Sequence, residues 1–238
     1  MKMIMLILDK VNTGYGAGQV LFDLSMRVEP GECVSLMGRN GMGKTTTIRA
    51  IMGQLSVQSG HIHRFDLADQ NLESFEIARA GIGLVPEGRL IFPNLSVAEN
   101  LKTFFRPARA DSEYEWTVAR VLDLFPRLQE RLEHNGNHLS GGEQQMLAIG
   151  RALTTNPKLL ILDEATEGLG PLIRKQIWAC LEQLKKQGQS ILIVDKDIRA
   201  IAQLADRHYI LDKGSVAWQG NSAELLAAPQ TINKYLGV

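Results

Sequence analysis

The sequence contains few cysteines and no long apolar run. Its two cysteines, Cys33 and Cys180, are far apart, lack C-x-x-C spacing and lie among apolar residues. We therefore expect free, buried thiols in a reducing cytosol and no disulfide. A membrane helix needs about 20 apolar residues in a row, so any membrane role must come through partner chains. The apolar run at residues 1–8 stops at Asp9 without a cleavage signal, which favours a first strand over a signal peptide.

An excess of one charge is also missing. Lysine plus arginine and aspartate plus glutamate each number 26, so the formal net charge is zero. Because there is no basic stripe to follow a nucleic-acid backbone, the sequence does not favour nucleic acid as a partner. The 238 residues suit one large α/β unit. We expect a single domain, residues 1–238, in which two subdomains share one site.

The apolar patterns predict an α/β core. Nearly continuous apolar runs, typical of parallel strands covered on both faces, occur at Cys33 to Met37, Ile82 to Val85, Leu159 to Leu162 and Ile191 to Val194. A helix is predicted by the spacing of Ile173, Ile177, Leu181 and Leu184.

Two further patterns indicate antiparallel strands. Alternation over residues 22–28 predicts a half-buried strand with one apolar face formed by Phe22, Leu24, Met26 and Val28. The segments 209–211 and 216–218, joined by Asp212-Lys213-Gly214, predict a short hairpin.

Residues 88–156 interrupt the strand pattern. Helices are expected near Val97 to Phe105, Ser112 to Phe125 and Gly141 to Leu153, with no convincing strand between them. We interpret this stretch as an inserted helical subdomain, and residues 1–87 and 157–238 as the α/β core.

A phosphate-binding loop follows the first buried strand and precedes a helix that begins near Thr46. Its residues fit G-x-x-x-x-G-K-[ST]: Gly38, Arg39, Asn40, Gly41, Met42, Gly43, Lys44 and Thr45. Glycines let backbone N–H groups converge on phosphate oxygens, and the following helix N-terminus favours anions. Lys44, expected to be an exposed loop lysine, supplies charge to the β- and γ-phosphates, and the Thr45 hydroxyl is a Mg²⁺ ligand. The loop predicts a nucleoside triphosphate site that includes Thr46.

An acidic pair ends the buried strand near residue 162. Asp163 is placed to reach Mg²⁺, through a water molecule, and Glu164 follows it. The start of a predicted helix, upstream of this strand, can serve both to cap the helix and to bind phosphate. Ser140 and Glu143 form a capping box, while the glycine pair between them leaves N–H groups free for a phosphate.

The order of these motifs resembles that of the ATP-binding subunit of an ABC transporter, from about Leu6 to the C-terminus. The resemblance depends on the segment that lies between the phosphate loop and the acidic pair: Leu139, Ser140, Gly141, Gly142, Glu143, Gln144 and Gln145. It implies a P-loop NTPase core with a mainly parallel sheet, an antiparallel β subdomain and an inserted helical subdomain that carries this signature. It also implies that the signature binds ATP held by another subunit, so that the chain works as a dimer.

The same resemblance implies roles for single residues. Glu164 polarises the attacking water, while Lys44 and Mg²⁺ hold charge on the transferred phosphoryl group. Tyr15 occupies the position of an aromatic ring that stacks on adenine, with surface packing as the alternative.

Three positions depart from the general family pattern. Glu87 replaces a glutamine that contacts Mg²⁺ and connects to the membrane subunit, Lys196 replaces a histidine that touches the γ-phosphate, and Gly170 replaces an aspartate at the dimer interface. The expected metal ligands are thus Thr45, Asp163 and Glu87. The combination of V-P-E-G-R, I-F-P-N-L-S-V-A-E-N-L and T-E-G-L-G-P resembles one branch, the second ATPase of branched-chain amino acid importers. Urea and short-chain amide importers are close relatives.

The resemblance implies an ATP-hydrolysing subunit of an importer at the cytoplasmic face of the bacterial inner membrane. Its expected partners are a second ABC ATPase in a heterodimer, two membrane permeases and an extracytoplasmic solute-binding protein. A soluble ABC ATPase acting on DNA or ribosomes would carry a second cassette, coiled-coil arms or basic insertions, which this sequence lacks. A small-molecule kinase would have no use for the signature. The identity of the solute is not encoded in this chain.

Overall fold

The computed structural model describes residues 5–65, 72–108 and 114–237. Its strands are β1 (Leu6–Tyr15), β2 (Gly18–Val28), β3 (Cys33–Met37), β4 (Ser59–Arg64), β5 (Ile82–Val85), β6 (Leu159–Asp163), β7 (Ser190–Val194), β8 (Arg207–Asp212) and β9 (Ser215–Gly220). Its α-helices are α1 (Lys44–Ile51), α2 (Ser74–Ala80), α3 (Val97–Thr103), α4 (Val118–Leu124), α5 (Pro126–Gln129), α6 (Gly141–Leu153), α7 (Pro171–Lys186), α8 (Ile198–Leu204), α9 (Ser222–Leu226) and α10 (Pro229–Leu236).

Two sheets build the fold. The larger has the order β5-β6-β7-β3-β8-β9, in which β5, β6, β7, β3 and β8 are parallel and β9 pairs antiparallel with β8. The smaller, with the order β2-β1-β4, is antiparallel. The predicted fold class, the four buried parallel strands and the hairpin are therefore confirmed. The strands β3, β6 and β7 are buried along their whole length, which explains their continuous apolar sequence.

The prediction for the strand over residues 22–28 is right in type and wrong at one residue. From Leu24 onward the apolar residues are buried in alternation, but the Phe22 side chain is 44% exposed. The cause is a local irregularity. The ladder with β1 shifts register here, Asp23 has a φ of 46°, and the Phe22 N–H donates to the Gly214 carbonyl of the β8–β9 turn. A bulge of this kind reverses the side on which the preceding side chain lies.

The first strand begins within the apolar N-terminal run and extends beyond it. β1 spans Leu6–Tyr15 and passes through the polar residues Asp9 and Lys10, which are exposed. Residues 1–4 lie outside the described part of the chain.

Helices α3 to α6 occupy the stretch interpreted as an insertion. The helix over Gly141–Leu153 is confirmed at both ends, and α3 is two residues shorter than expected. α4 begins at Val118, whereas the sequence suggested Ser112. Thr117 caps it, and the Trp116 N–H donates to the side chain of Asn156 and so does not join a helix. Residues 112–113 fall outside the described ranges. The division into residues 1–87, 88–156 and 157–238 remains our proposal.

Both cysteines are free and buried, as expected. Burial raises the pKa of each thiol to about 12, so neither is a reactive thiolate at neutral pH. Across the described ranges, no helix combines the length and apolar composition of a membrane span.

Candidate nucleotide-binding site

Four neighbouring strands end at one edge of the large sheet and bring the predicted site together. The phosphate loop follows β3, Asp163 ends β6, Lys196 follows β7, and Glu87 follows β5. In open parallel sheets the carboxyl ends of the strands form the ligand crevice. Here they enclose a cleft of about 310 Å³ lined by Val20, Asn40, Gly41, Gly43, Lys44, Thr45, Thr46, Glu87, Glu164, Glu167 and Lys196.

The phosphate loop requires glycine where it turns. Gly38 and Gly43 have φ values of 150° and 103°, which L-residues with side chains rarely adopt. A Cβ on Gly38 would lie 2.7 Å from the Leu211 carbonyl oxygen, and one on Gly43 would lie 2.8 Å from a Leu21 methyl carbon. Met42 is held against the hairpin turn, where its sulfur accepts from the Lys213 N–H at 3.2 Å. The loop is thus fixed between both sheets.

Lys44 is not the exposed loop lysine expected from the sequence. It is the first residue of α1 and only 6% exposed. Its ammonium donates to the carbonyl oxygens of Gly38 and Arg39, at 2.9 and 3.2 Å, and lies 3.9 Å from a Glu164 carboxylate oxygen. Burial lowers the pKa of Lys44, and the charge of Glu164 opposes that shift. The side chain therefore already lies folded over the loop in which phosphates would bind.

The Asp163 carboxylate has an incomplete set of partners. The residue is 4% exposed, and its Oδ1 atom has no hydrogen-bond partner among the described residues. Burial and the charge of Glu87 raise its pKa, while Lys44 and a hydrogen bond with Thr45 lower it. A buried carboxylate oxygen without a partner is costly unless a cation satisfies it. The carboxylate and hydroxyl oxygens of these neighbours are the donors that Mg²⁺ prefers, so the residues fit that ion.

Glu164 is held in an uncommon backbone conformation, with a φ of 51°. Its N–H donates to the Val194 carbonyl at 2.8 Å, which fixes it across to β7. Burial, followed by a hydrogen bond with Glu167, raises the pKa of Glu164 to about 7, although the ammonium of Lys196 opposes the rise. Left-handed non-glycine residues cluster at functional sites, and a carboxyl group that titrates near neutral pH suits proton transfer.

Three carboxylates converge beside the cleft. Oxygen atoms of Glu87, Glu164 and Glu167 all lie within 4.8 Å of one another. The Lys196 ammonium lies 2.6 Å from Glu167 Oε1 and 3.3 Å from Glu164 Oε2. Lys196 is therefore not a freely solvated lysine, because it is ion-paired at the edge of the site.

The signature lies elsewhere. Ser140 caps α6 by accepting from the Glu143 N–H, and Glu143 accepts from the Ser140 N–H at 2.8 Å. The Gly141 position packs directly on the Arg89 guanidinium, which also donates to Gln144 Oε1 at 3.3 Å. Leu139 is buried beneath the turn. None of these residues is among those that line the described cleft.

Tyr15 ends β1 and is 45% exposed. The Arg49 guanidinium donates to its hydroxyl at 3.0 Å and lies 5.8 Å from the ring centroid. The ring is not among the residues that line the cleft, so adenine stacking stays a prediction. Gly170, which precedes α7, is exposed.

Sequence reasoning missed Glu167 and Asp195. Glu167 lies three residues after Glu164, in the T-E-G-L-G-P segment, which the sequence analysis used only for its resemblance to one branch of the family. Asp195 is buried, and its carboxylate accepts from the Thr166 N–H and hydroxyl and from the Lys196 and Asp197 N–H groups. A signal was available for Asp195, which forms a polar pair with Lys196 directly after a buried strand, but not for Glu167.

A family model described as ABC transporter matches residues 21–167, well over half of the chain. The chain belongs to the ABC transporter family. As an ABC ATPase it binds and hydrolyses ATP.

The ABC ATPase is similar to characterised relatives along almost its whole length. It is 43% identical to the high-affinity branched-chain amino acid transport ATP-binding protein BraG of Pseudomonas aeruginosa, covering 98% of this chain and all of that one. It is 34% identical to the lipopolysaccharide export system ATP-binding protein LptB of Escherichia coli K12, covering 94% and 93%. Identity is therefore higher to the amino acid transport protein.

Solved structures support the same fold. A nucleotide-free ATP-binding cassette from an ABC transporter superposes with a TM-score of 0.83 at 23% identity, covering 96% of this chain and 97% of that one. A dimeric bacterial ABC transporter cassette gives a TM-score of 0.78 at 28% identity, covering 92% and 99%.

Proposed function

We propose that this ABC ATPase powers the import of branched-chain amino acids. The observation that carries the proposal is the full-length similarity to BraG, whose name states branched-chain amino acid transport. The V-P-E-G-R and T-E-G-L-G-P segments, which resemble the same branch, support it. Urea or short-chain amide import is the second candidate, because the sequence resemblance implies that those importers are close relatives of this branch.

Within the site, we propose that Thr45, Asp163 and Glu87 hold Mg²⁺. The unpaired Asp163 oxygen supports this assignment. When bound, the ion would supply positive charge to the β- and γ-phosphate oxygens.

The protein's own groups then divide the remaining work. Backbone N–H groups of residues 38–46 and the Lys44 ammonium receive the phosphates, because the start of α1 favours anions. Glu164, fixed between two strand ends, orients the attacking water and accepts its proton. Its pKa near 7 leaves a substantial fraction of carboxylate available at neutral pH. Tyr15 is proposed to stack on adenine.

The second subunit supplies what this cleft lacks. The signature does not line its own chain's cleft, which supports a dimer in which Leu139 to Gln144 bind ATP held by the partner. The dimeric cassette of similar fold supports the formation of a dimer. The positive end of α6 and the Ser140 hydroxyl are suited to a γ-phosphate.

The permeases are proposed to dock beside Glu87. Leu90, Phe92 and Phe104 are exposed there, and the Arg151 guanidinium lies 5.2 and 5.5 Å from the two phenylalanine ring centroids. Exposed apolar groups of this kind mark interaction surfaces. We further propose that a solute-binding protein completes the importer, and that the chain lies at the cytoplasmic face of the inner membrane.

Transport and partner identification test the assignment together. The tagged chain is purified from native membranes, and a strain lacking it is assayed for uptake of labelled leucine and labelled urea. Co-purified permeases and loss of leucine uptake alone are the expected result. Loss of urea uptake alone would favour the second candidate, and a chain without membrane partners would contradict the transport assignment.

Glu87→Gln is expected to change the Mg²⁺ and pH dependence of turnover more than the affinity for ATP. Burial and the charge of Glu87 raise the pKa of Asp163, so removing that charge should let Asp163 bind Mg²⁺ at lower pH, while loss of a metal ligand should raise the Mg²⁺ requirement. ATPase rates over a Mg²⁺ series at several pH values measure both effects. Glu130→Gln, at an exposed glutamate, is the control. Unchanged metal and pH profiles would limit Glu87 to contact with a permease.

We also expect a heterodimer with unequal sites. Lys196 stands where the family resemblance implies a histidine, so the site built on this chain's Lys44 is expected to lack the usual contact to the γ-phosphate. The partner's site is completed by Ser140 of this chain, and this chain contributes an intact signature to it. The catalytic glutamate is replaced in each subunit separately, and transport-coupled turnover is measured in the assembled complex. The partner's substitution should be the more damaging one. A functional homodimer, or greater damage from Glu164→Gln, would contradict the asymmetry.

A further inference from the structure

Glu167 places an acidic side chain in the lining of the cleft that is proposed to receive the phosphates. It lines the cleft together with Lys44 and Thr45, and its carboxylate is within 4.8 Å of both Glu164 and Glu87. A triphosphate entering this end of the cleft meets three carboxylates in addition to the buried Asp163. Like charges at such separations repel, and half-exposed groups are only partly screened by solvent.

Lys196 neutralises Glu167. The two side chains are each 49% exposed, and their charged atoms are 2.6 Å apart. Glu167 also raises the pKa of Lys196, which keeps the ammonium charged. Because half-exposed ion pairs are weak, typically below about 1 kcal/mol, a phosphate can compete with Glu167 for the ammonium.

Hydrogen bonds of Asp195 hold the two segments that carry the Glu167–Lys196 pair. The buried carboxylate of Asp195 accepts from the Thr166 N–H at 3.2 Å and from the Thr166 hydroxyl at 2.7 Å. Its other oxygen accepts from the Lys196 N–H at 2.7 Å. Thr166 precedes Glu167 in sequence, so Asp195 ties together the two segments from which the pair projects. The proximity of Glu167 and Lys196 is therefore imposed by the backbone of both strand ends.

We propose that the charge of Glu167, at the γ-phosphate end of the cleft, makes Lys196 necessary for binding ATP but not for binding ADP. This proposal deepens the nucleotide site described under the proposed function and rests on it. It explains why an acid and a lysine occur together here. The lysine is required because of the glutamate, and it compensates the acid in addition to any contact of its own with phosphate.

A double-mutant cycle on nucleotide binding tests the proposal. Equilibrium binding of MgATP and MgADP is measured for the purified chain, for Lys196→Met, for Glu167→Gln and for the double variant. Lys196→Met should weaken MgATP binding by about tenfold, the size of one partly screened charge contact, and leave MgADP within about twofold. The double variant should recover most of the lost affinity, within about threefold of the parent.

The controls separate this proposal from the site assignment itself. Lys186→Met and Glu182→Gln disrupt an exposed ion pair of 2.8 Å on α7 and should change neither affinity. Lys196→Arg keeps the charge and should retain MgATP affinity. A double variant as weak as Lys196→Met, equal losses for MgATP and MgADP, or no effect of Lys196→Met would each overturn the proposal. Failure of the parent chain to bind either nucleotide would instead overturn the nucleotide site.

Discussion

Glu164→Gln should lower kcat for ATP hydrolysis by a factor of about 100 or more, the range for loss of a general base, while the Kd for MgATP changes little. Glutamine keeps the shape of the side chain but cannot accept the proton of the attacking water. An ATP-bound complex with the partner subunit should then accumulate. Single-turnover hydrolysis and equilibrium nucleotide binding measure the two quantities separately.

The pH profile of the parent supplies a second measurement of the same group. Burial and Glu167 raise the pKa of Glu164 to about 7, so the active carboxylate is lost as the pH falls through that value. The kcat/KM of the parent should therefore rise between about pH 6 and pH 8, and the residual activity of Glu164→Gln should lack this step.

Glu182→Gln is the matched control for this substitution. Glu182 is an exposed glutamate on α7 that pairs with Lys186, so its amide variant should leave kcat and its pH profile unchanged. Equal losses of MgATP binding and hydrolysis in Glu164→Gln would mean that Glu164 has another role.

Local patterns predicted the parts of the fold that depend on local physics. β3, β6 and β7 were recognisable because burial on both faces leaves a continuous apolar sequence. α6 was recognisable at both ends because Ser140 and Glu143 form its capping box. Both signals are complete within a few residues.

The errors occurred where distant segments decide the local structure. Phe22 is turned outward because its N–H bonds to Gly214, far along the chain. The start of α4 is set by Asn156, which takes the Trp116 N–H and also donates to the Trp116 carbonyl. No periodicity within residues 22–28 or 112–125 carries that information.

The site divides in the same way. The phosphate loop, the strand end at Asp163 and the signature are each a short contiguous motif, so their residues could be named from the sequence. The Glu167–Lys196 pair could not, because it depends on β6 and β7 being neighbours in the sheet and on Asp195 linking their ends. The burial of Lys44 was missed because the motif does not show that its ammonium folds back onto the carbonyl oxygens of Gly38 and Arg39.

Lys44→Ala should abolish most MgATP binding, weakening it by about 100-fold or more, because charge-assisted hydrogen bonds to phosphate are worth about 1.5–3 kcal/mol each. The fold should persist. Truncation removes two hydrogen bonds to backbone carbonyls, but the Arg39 carbonyl lies in an exposed part of the loop, where water can replace the ammonium. Nucleotide binding and thermal unfolding are measured on the same preparations.

Lys44→Met keeps the aliphatic stem in its buried position, so it tests the loss of charge even if Lys44→Ala is less stable. Lys175→Ala, which removes an exposed lysine on α7, is the control and should retain both affinity and hydrolysis. The two Lys44 variants should share the same defect in MgATP binding, since the ammonium is the group that they both lose. In contrast to Lys196→Met, both should also weaken MgADP, because Lys44 is placed to reach the β-phosphate as well as the γ-phosphate. Ordinary ATP hydrolysis by folded Lys44→Ala in its complex would contradict the assignment of the phosphate loop.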